Sequence, residues 1–244
     1  MSVLCERLPW DSTFFGFPVA RVGAGTMDGP QCHEAIEWCL AEGVRLLYFL
    51  ADNDAVIWAL AADSGFRPVD IRVEMEYEPS RPTIPSMART AGIVLREATE
   101  EDLHDLLPVA ATAHTDSRFF ADPAVPPEKA RELFALWLKR SVRHEIADVV
   151  FVAAVEGRPV SYISGSLTNG LGSIGLVGVH EEARKRGIGL AMVRHLLEWF
   201  RQRGAAKITV VTQGRNSGSQ RVYQRCGFVT QSVRVWFHRW FGQA

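Results

Sequence analysis

Arg184-Lys185-Arg186-Gly187-Ile188-Gly189 lies between a strand-like run, Ile174-Gly175-Leu176-Val177-Gly178-Val179, and a helix-like run from Leu190 to Arg203. A glycine-bearing turn that opens directly into a helix aims backbone N–H groups at one point. The helix N-terminus adds partial positive charge there, and the three basic side chains add more, which makes a site for a diphosphate. Gly187 and Gly189 let the backbone approach such a group with no Cβ in the way. The expected donors are the amides of residues 185–190, those of Ile188 and Leu190 included. Lys185 reads equally well as part of a solvated basic face.

Working outward, the elements around the turn follow in a regular order. Ile93-Val94-Leu95-Arg96 reads as a strand, and Thr99 caps a helix with Asp102 three positions on. A polar loop follows, His114-Thr115-Asp116-Ser117-Arg118-Phe119, and then a helix over about 127–142. Strands near 149–155 and 159–167 are joined by the hairpin signal Glu156-Gly157-Arg158. The helix after the turn carries Val193, Leu196, Leu197 and Phe200 on one face and ends at Gly204. Lys207–Thr212 reads as a buried strand, Ser217–Gln224 as a short helix and Val229–Arg239 as a final strand. The last of these carries Trp236, Phe237, Trp240 and Phe241 at or beyond its end, a density that suits either a core or a dimer seam.

One boundary stands out upstream. Pro79, Pro82 and Pro85 recur every third residue, each removing a donor and favouring extended geometry before it. The expected division is a domain over 1–78, a linker over 79–90 and a domain over 91–244. The first domain echoes the end of the second. Leu47–Asn53, a helix to Ser64, Gly65-Phe66 and a strand Arg72–Tyr77 parallel Ile208–Val211, a helix after Asn216, Gly227-Phe228 and the last strand. The first copy lacks the glycine turn and has Ala61 where the second has Tyr223, so it reads as a half-copy without chemistry, with chance similarity as the alternative.

Composition narrows the class. The chain has 244 residues, 47% of them hydrophobic, and a formal net charge of −1, which supplies no basic field for nucleic acid or a membrane surface. No apolar run reaches the roughly 20 residues of a membrane span. Cys5, Cys32, Cys39 and Cys226 form no CxxC pair and no zinc spacing, so reduced thiols and a cytoplasmic location are expected, with no metal.

The order of elements and the turn resemble the GNAT superfamily of acyl-CoA-dependent N-acyltransferases. Its signature, Gln/Arg-x-x-Gly-x-Gly/Ala, is met by Arg184, Gly187 and Gly189, and an Asn-x6-Tyr element follows as Asn216 to Tyr223. The resemblance implies an α/β (α+β) GNAT fold: a mixed twisted sheet flanked by helices, preceded here by a smaller half-GNAT-like N-terminal domain. It implies acetyl-CoA as co-substrate, its diphosphate on the 184–190 turn and its pantetheine arm along a splayed strand, Leu176-Val177-Gly178-Val179. It makes Tyr223 the catalytic acid that protonates the departing thiolate. Asn216 matches a position that contacts the CoA arm, and a simple helix cap suits it equally well. Relatives often carry a glutamate base on the motif strand; residues 174–179 have no carboxylate, which leaves His114, Asp116 or water to take the acceptor's proton.

Trp10-Asp11-Ser12-Thr13-Phe14-Phe15-Gly16 and Asp116-Ser117-Arg118-Phe119 narrow the resemblance to those members that acetylate a nucleotide-linked 4-amino-4,6-dideoxyhexose. Such an acceptor brings its own diphosphate, and Arg118 is the expected partner, with His114, Asp116, Ser117 and Phe119 lining the pocket. A surface Arg118 beside a core Phe119 is the alternative. The expected partner is thus a small-molecule amine, with no nucleic acid or membrane and with a homodimer in view. Another amine acceptor, or a non-catalytic acyl-CoA-binding module, are the competing functions.

Overall fold

Along the chain run β1 (Cys5–Arg7), α1 (Pro9–Phe15), β2 (Val19–Val22), α2 (Gly29–Ala41), β3 (Leu46–Asp52), α3 (Ala55–Asp63) and β4 (Arg67–Tyr77). After the proline-rich stretch come β5 (Ile93–Glu97), α4 (Leu103–Ala113), α5 (Arg118–Ala121), α6 (Pro127–Val142), β6 (Val149–Val155), β7 (Arg158–Thr168) and β8 (Leu171–Val179). The chain closes with α7 (Ile188–Gln202), β9 (Lys207–Gln213), α8 (Ser217–Arg225) and β10 (Val229–Trp240). These elements come from a computed structural model that describes residues 4–80 and 92–242. Most of the expected 79–90 linker falls on residues outside that range.

The described chain divides into two compact units that are each discontinuous in sequence. One holds Met1–Arg72, Ala121–Ala124 and Val233–Ala244; the other holds Val73–Phe120 and Val125–Ser232. These units differ from the expected single cut near residue 80: the first break falls after Arg72, and Ala121–Ala124 and the segment from Val233 on group with the N-terminal elements. The last strand does so because Arg234–Trp240 pairs antiparallel with Leu46–Asp52 of β3.

In the first unit the strand order is β1-β2-β3-β10, with β2 and β3 parallel and the outer pairings antiparallel. Asp28 begins α2 with a full capping box, and Asp54 caps α3 through the amides of Val56 and Ile57. The core joins Cys32, Ala35 and Cys39 of α2 to Leu47, Phe49 and Ala51 of β3 and to Phe237 of β10. The aromatic density of β10 is taken up here: Phe237 is buried against Phe49 and Trp58, Trp236 meets Tyr48, and Trp240 meets Phe17.

In the second unit the order is β4-β9-β8-β7-β6-β5, with β4 contributing from Val73 on. β5 to β8 form an antiparallel meander, and β8 and β9 run parallel. The β6–β7 hairpin turns on Glu156 and Gly157, both at positive φ (51° and 82°), as a two-residue primed turn requires. The apolar stripe of α7, Met192, Val193, Leu196 and Phe200, covers one face of the meander. α4 and α6 cover the other through Leu106, Val109, Ala110 and Leu138 against Val150, Val152 and Tyr162. The helix expected after Thr99 starts as a 3₁₀ turn, Glu100–Asp102, closed by the Thr99–Asp102 capping box. Asp102 then pairs twice with Arg96, at 2.7 Å each, which holds its carboxyl below the usual range.

β9 differs from the buried strand expected. Its residues alternate between buried (Ile208, Val210, Thr212) and more exposed (Lys207, Val211), so only one face is fully in the core. The echo between the two halves holds at the level of local structure. α3 and α8 each begin on a side-chain cap, Asp54 or Asn216, and end on a left-handed glycine, Gly65 or Gly227, followed by a buried phenylalanine. Among the described residues no helix is long and apolar enough to cross a membrane.

Candidate active site

The site is organised by β8. Its parallel ladder with β9 runs from Leu171–Lys207 to Ile174–Val210 and stops there, although β8 continues to Val179 and β9 to Gln213. Beyond Ile174 the two strands part. The expected splay is therefore present, and it begins just before Leu176.

The phase of the β7–β8 ladder decides which backbone groups face the opening. His180 donates to the Val160 carbonyl at 2.8 Å, and Gly178 stands opposite Tyr162 two residues further along the same ladder. In an antiparallel pair the residues alternate between facing the partner and facing away. Gly178 therefore faces β7, and the N–H and C=O of Val177 and Val179 face the opposite side, where β9 has left. Leu176 is half-buried, with its amide turned back toward β7.

The turn expected to hold a diphosphate follows directly. Arg184 is exposed, and its Nε donates to the Val179 carbonyl at 3.1 Å, tying the end of β8 to the start of the turn. Lys185 (φ 61°) and Gly187 (φ 80°) are both left-handed, which folds the chain back into the helix. Gly187 is the N-cap of α7 and supplies no side chain, so the first-turn amides of Ile188, Gly189 and Leu190 carry no side-chain cap. α2, α3 and α8 are each capped by a side-chain oxygen. A Cβ added at Gly189 would meet nothing within 4 Å, so the approach to these amides is open. Ile188 is buried in the core and anchors the turn, while Lys185 and Arg186 are exposed. These features fit a diphosphate: uncapped amides, a helix dipole and three cationic side chains.

Tyr223 lies on α8 in the same apolar cluster as Ile188, with Val177, Val179 and Leu190 packed against that cluster. Its ring meets Phe228 edge-on at 5.7 Å and is 4% exposed. Burial first, and Cys226 second, push its phenol above the usual tyrosine value. A phenol in that state carries its proton at neutral pH. Asn216 accepts from the Ser219 amide at 3.0 Å, so its oxygen serves as the α8 cap, the simpler of its two readings.

On the other face of β8 stands a pair that the sequence reading missed in part. His114 Nε2 and the Tyr162 hydroxyl are 2.7 Å apart. The imidazole stacks on Phe134 with ring centres 4.3 Å apart, and Tyr162 is fully buried. The tyrosine ring occupies the place where a side chain at Gly178 would lie: a Cβ there would fall 2.5 Å from it. His114 thus reaches the middle of the splayed segment through Tyr162. Burial lowers the His114 pKa to about 4 and raises that of Tyr162, so both are neutral at physiological pH. Tyr162 sits in an ordinary strand pattern 48 residues from His114, and no spacing rule joins them.

The remaining loop residues separate by burial. Ser117 is 6% exposed and its hydroxyl is sealed without a hydrogen-bond partner among the described residues. Phe119 is buried against Phe134 and Trp137 at 6.4 and 6.1 Å. Arg118 stacks its guanidinium over the Phe119 ring at 4.5 Å, and Asp116 is half-buried. The stretch expected as a polar loop is thus apolar at its end, where Arg118–Ala121 makes one helical turn.

Residues 110–228 match the family described as Acetyltransferase (GNAT) family. The dTDP-fucosamine acetyltransferase of Escherichia coli O6:H1 is 25% identical over 236 residues, which is 96% of this chain and 97% of that one. Spore coat polysaccharide biosynthesis protein SpsD of Bacillus subtilis is 25% identical over 58% of this chain, and the chain spans about half of that relative, 49%. A GCN5-related N-acetyltransferase from Sphaerobacter thermophilus superposes with a TM-score of 0.70 at 19% identity, covering 97% of this chain and 76% of that one, a likeness of fold. Residues 110–228 of this chain thus form a GNAT acetyltransferase domain.

Proposed function

We propose that this protein is an acetyl-CoA-dependent N-acetyltransferase acting on the amino group of a nucleotide-linked amino-dideoxy sugar, by direct attack on the thioester in the cytoplasm. The observation that carries the reading is the parting of β8 from β9 after Ile174, directly ahead of an uncapped helix N-terminus.

Acetyl-CoA supplies the activated acetyl group. The amides of Ile188, Gly189 and Leu190, with Arg184, Lys185 and Arg186, bind its diphosphate. The outward N–H and C=O of Val177 and the N–H of Val179, whose carbonyl Arg184 already holds, bind its pantetheine arm as a missing strand would, and an N–H on this edge stabilises the oxyanion. Tyr223 holds the proton that the leaving sulfur requires. The acceptor's own proton is the remaining question. A His114 imidazole at about 4 cannot keep a proton taken from an alkylammonium, so it acts as a neutral hydrogen-bonding group and the proton passes to solvent. The Arg118 guanidinium, stacked on Phe119, supplies the polar contact a sugar diphosphate needs. The near full-length similarity to dTDP-fucosamine acetyltransferase supports a 4-amino-4,6-dideoxyhexose as the acceptor.

The test is thiol release from acetyl-CoA with a dTDP-4-amino-4,6-dideoxyhexose beside aminoglycoside, polyamine and peptide amines. Release that depends on the amino sugar, well above the other acceptors, is the expected result. Release with another amine alone overturns the acceptor.

A further inference from the structure

Two buried serines of β7, Ser161 and Ser164, lie beside the splayed part of β8 and have no role in the scheme above. Their hydroxyls meet β8 on either side of Val177. Pairing runs from Gly165–Ile174 to Ile163–Val177, an advance of two residues on β7 and three on β8. Gly175 and Leu176 therefore both stand opposite Ser164, which is a β-bulge with its extra residue on β8. The Ser164 hydroxyl fills the bulge. It accepts from the Leu176 amide at 2.8 Å and lies 2.7 Å from where a Cβ of Gly175 would be. Three residues back, the Ser161 hydroxyl donates to the Gly178 carbonyl at 2.8 Å. Positions 161 and 164 differ in parity, so the two hydroxyls reach β8 from opposite faces of the sheet. Both residues are buried, at 0% and 3% exposure.

The place of the bulge is informative. Ladder pairing of β8 with β9 ends at Ile174, the residue immediately before it. A bulge bends and twists its strand, and this one turns β8 away from β9 where the opening begins. We infer that Ser164 and Ser161 are positioning residues for the acyl-CoA edge: they hold Leu176 and Gly178 against β7, so that Val177 between them presents its N–H and C=O to the opening. Neither hydroxyl touches the co-substrate; each acts through the backbone it holds. The inference rests on the reading that this edge binds acetyl-CoA.

The experiment measures steady-state kinetics and CoA affinity by calorimetry for Ser164→Ala, Ser161→Ala and Ser141→Ala, with melting curves for each. Ser141 is a control, equally buried and bonded to the Trp137 carbonyl inside α6. Losing one hydrogen bond to a held backbone group is expected to weaken CoA binding about tenfold in each β7 variant. The acceptor KM at saturating acetyl-CoA should stay within about twofold, since the acceptor loop is untouched. Ser141→Ala should lower the melting temperature and leave both constants unchanged. A folded Ser164→Ala protein with wild-type CoA affinity overturns the inference. Should the wild-type protein bind no CoA, the fault lies with the acetyltransferase reading of the edge; wild-type binding with unaffected β7 variants places it with the serines alone.

Discussion

His114 and Tyr162 form a neutral hydrogen-bonded pair, Nε2 to hydroxyl at 2.7 Å, that joins the loop after α4 to Gly178 on the splayed strand. Because burial lowers the His114 pKa to about 4, the unfolded chain binds a proton there at higher pH than the folded one. Between about pH 6.5 and 4 acidification therefore favours unfolding, and the contribution is complete above that window. His114→Gln removes the titration, and the drop in stability from pH 7 to pH 4.5 should shrink by about 2 kcal/mol, less than the full shift because the ring is only partly buried. Denaturant unfolding at the two pH values checks it. An unchanged drop would mean the ring does not titrate low.

The same pair bears on the rate. With His114 unable to keep the acceptor's proton, kcat/KM should rise with pH along the ionisation of the acceptor amine itself. That limb should stay in place in His114→Gln and move when an acceptor of different amine pKa is used. A limb that vanishes with His114 would make it the base after all.

Tyr223 is protonated, buried and in the cluster against which Val177 and Leu190 pack. Tyr223→Phe keeps the ring against Phe228 and removes only the hydroxyl. Turnover should fall by about 10²-fold or more, with the acetyl-CoA KM within about twofold. Retained turnover would take the phenol out of the mechanism.

Arg118 stacks on Phe119, which holds its guanidinium at the edge of the loop. Arg118→Ala should raise the acceptor KM about tenfold and leave CoA affinity alone, the mark of a diphosphate partner on the acceptor side. An unchanged acceptor KM would leave Arg118 a surface residue.

Gly178 has no room for a side chain, since Tyr162 lies across it. Gly178→Ala should cost about 1–3 kcal/mol of stability and weaken CoA binding together, because the displaced strand carries Val177 and Val179. Full stability and affinity in that variant would show the strand to be pliant.

Much of this architecture was legible because its signals are local. The glycine turn, the α7 stripe of Val193, Leu196, Leu197 and Phe200, and the Thr99–Asp102 cap are each fixed within a few residues, and each element stands where the spacing predicts. The parting of β8 from β9 was legible only through family resemblance, because a bulge is made by register and register depends on a partner strand. The Tyr162–His114 pair and the two β7 serines were not legible, since each depends on residues brought together from distant positions. The grouping of β10 with β3 was missed for the same reason: a proline-rich stretch signals a break in the chain but says nothing of which strand later returns across it.

The most direct test of the account is backbone hydrogen exchange with and without CoA, followed at the amides of Val177, Val179, Gly189 and Leu190. Exchange should slow at all four on CoA addition, with the Gly178 amide, already turned to β7, little changed. Exchange at Val177 and Val179 that is indifferent to CoA, in a protein that still releases thiol, would contradict it.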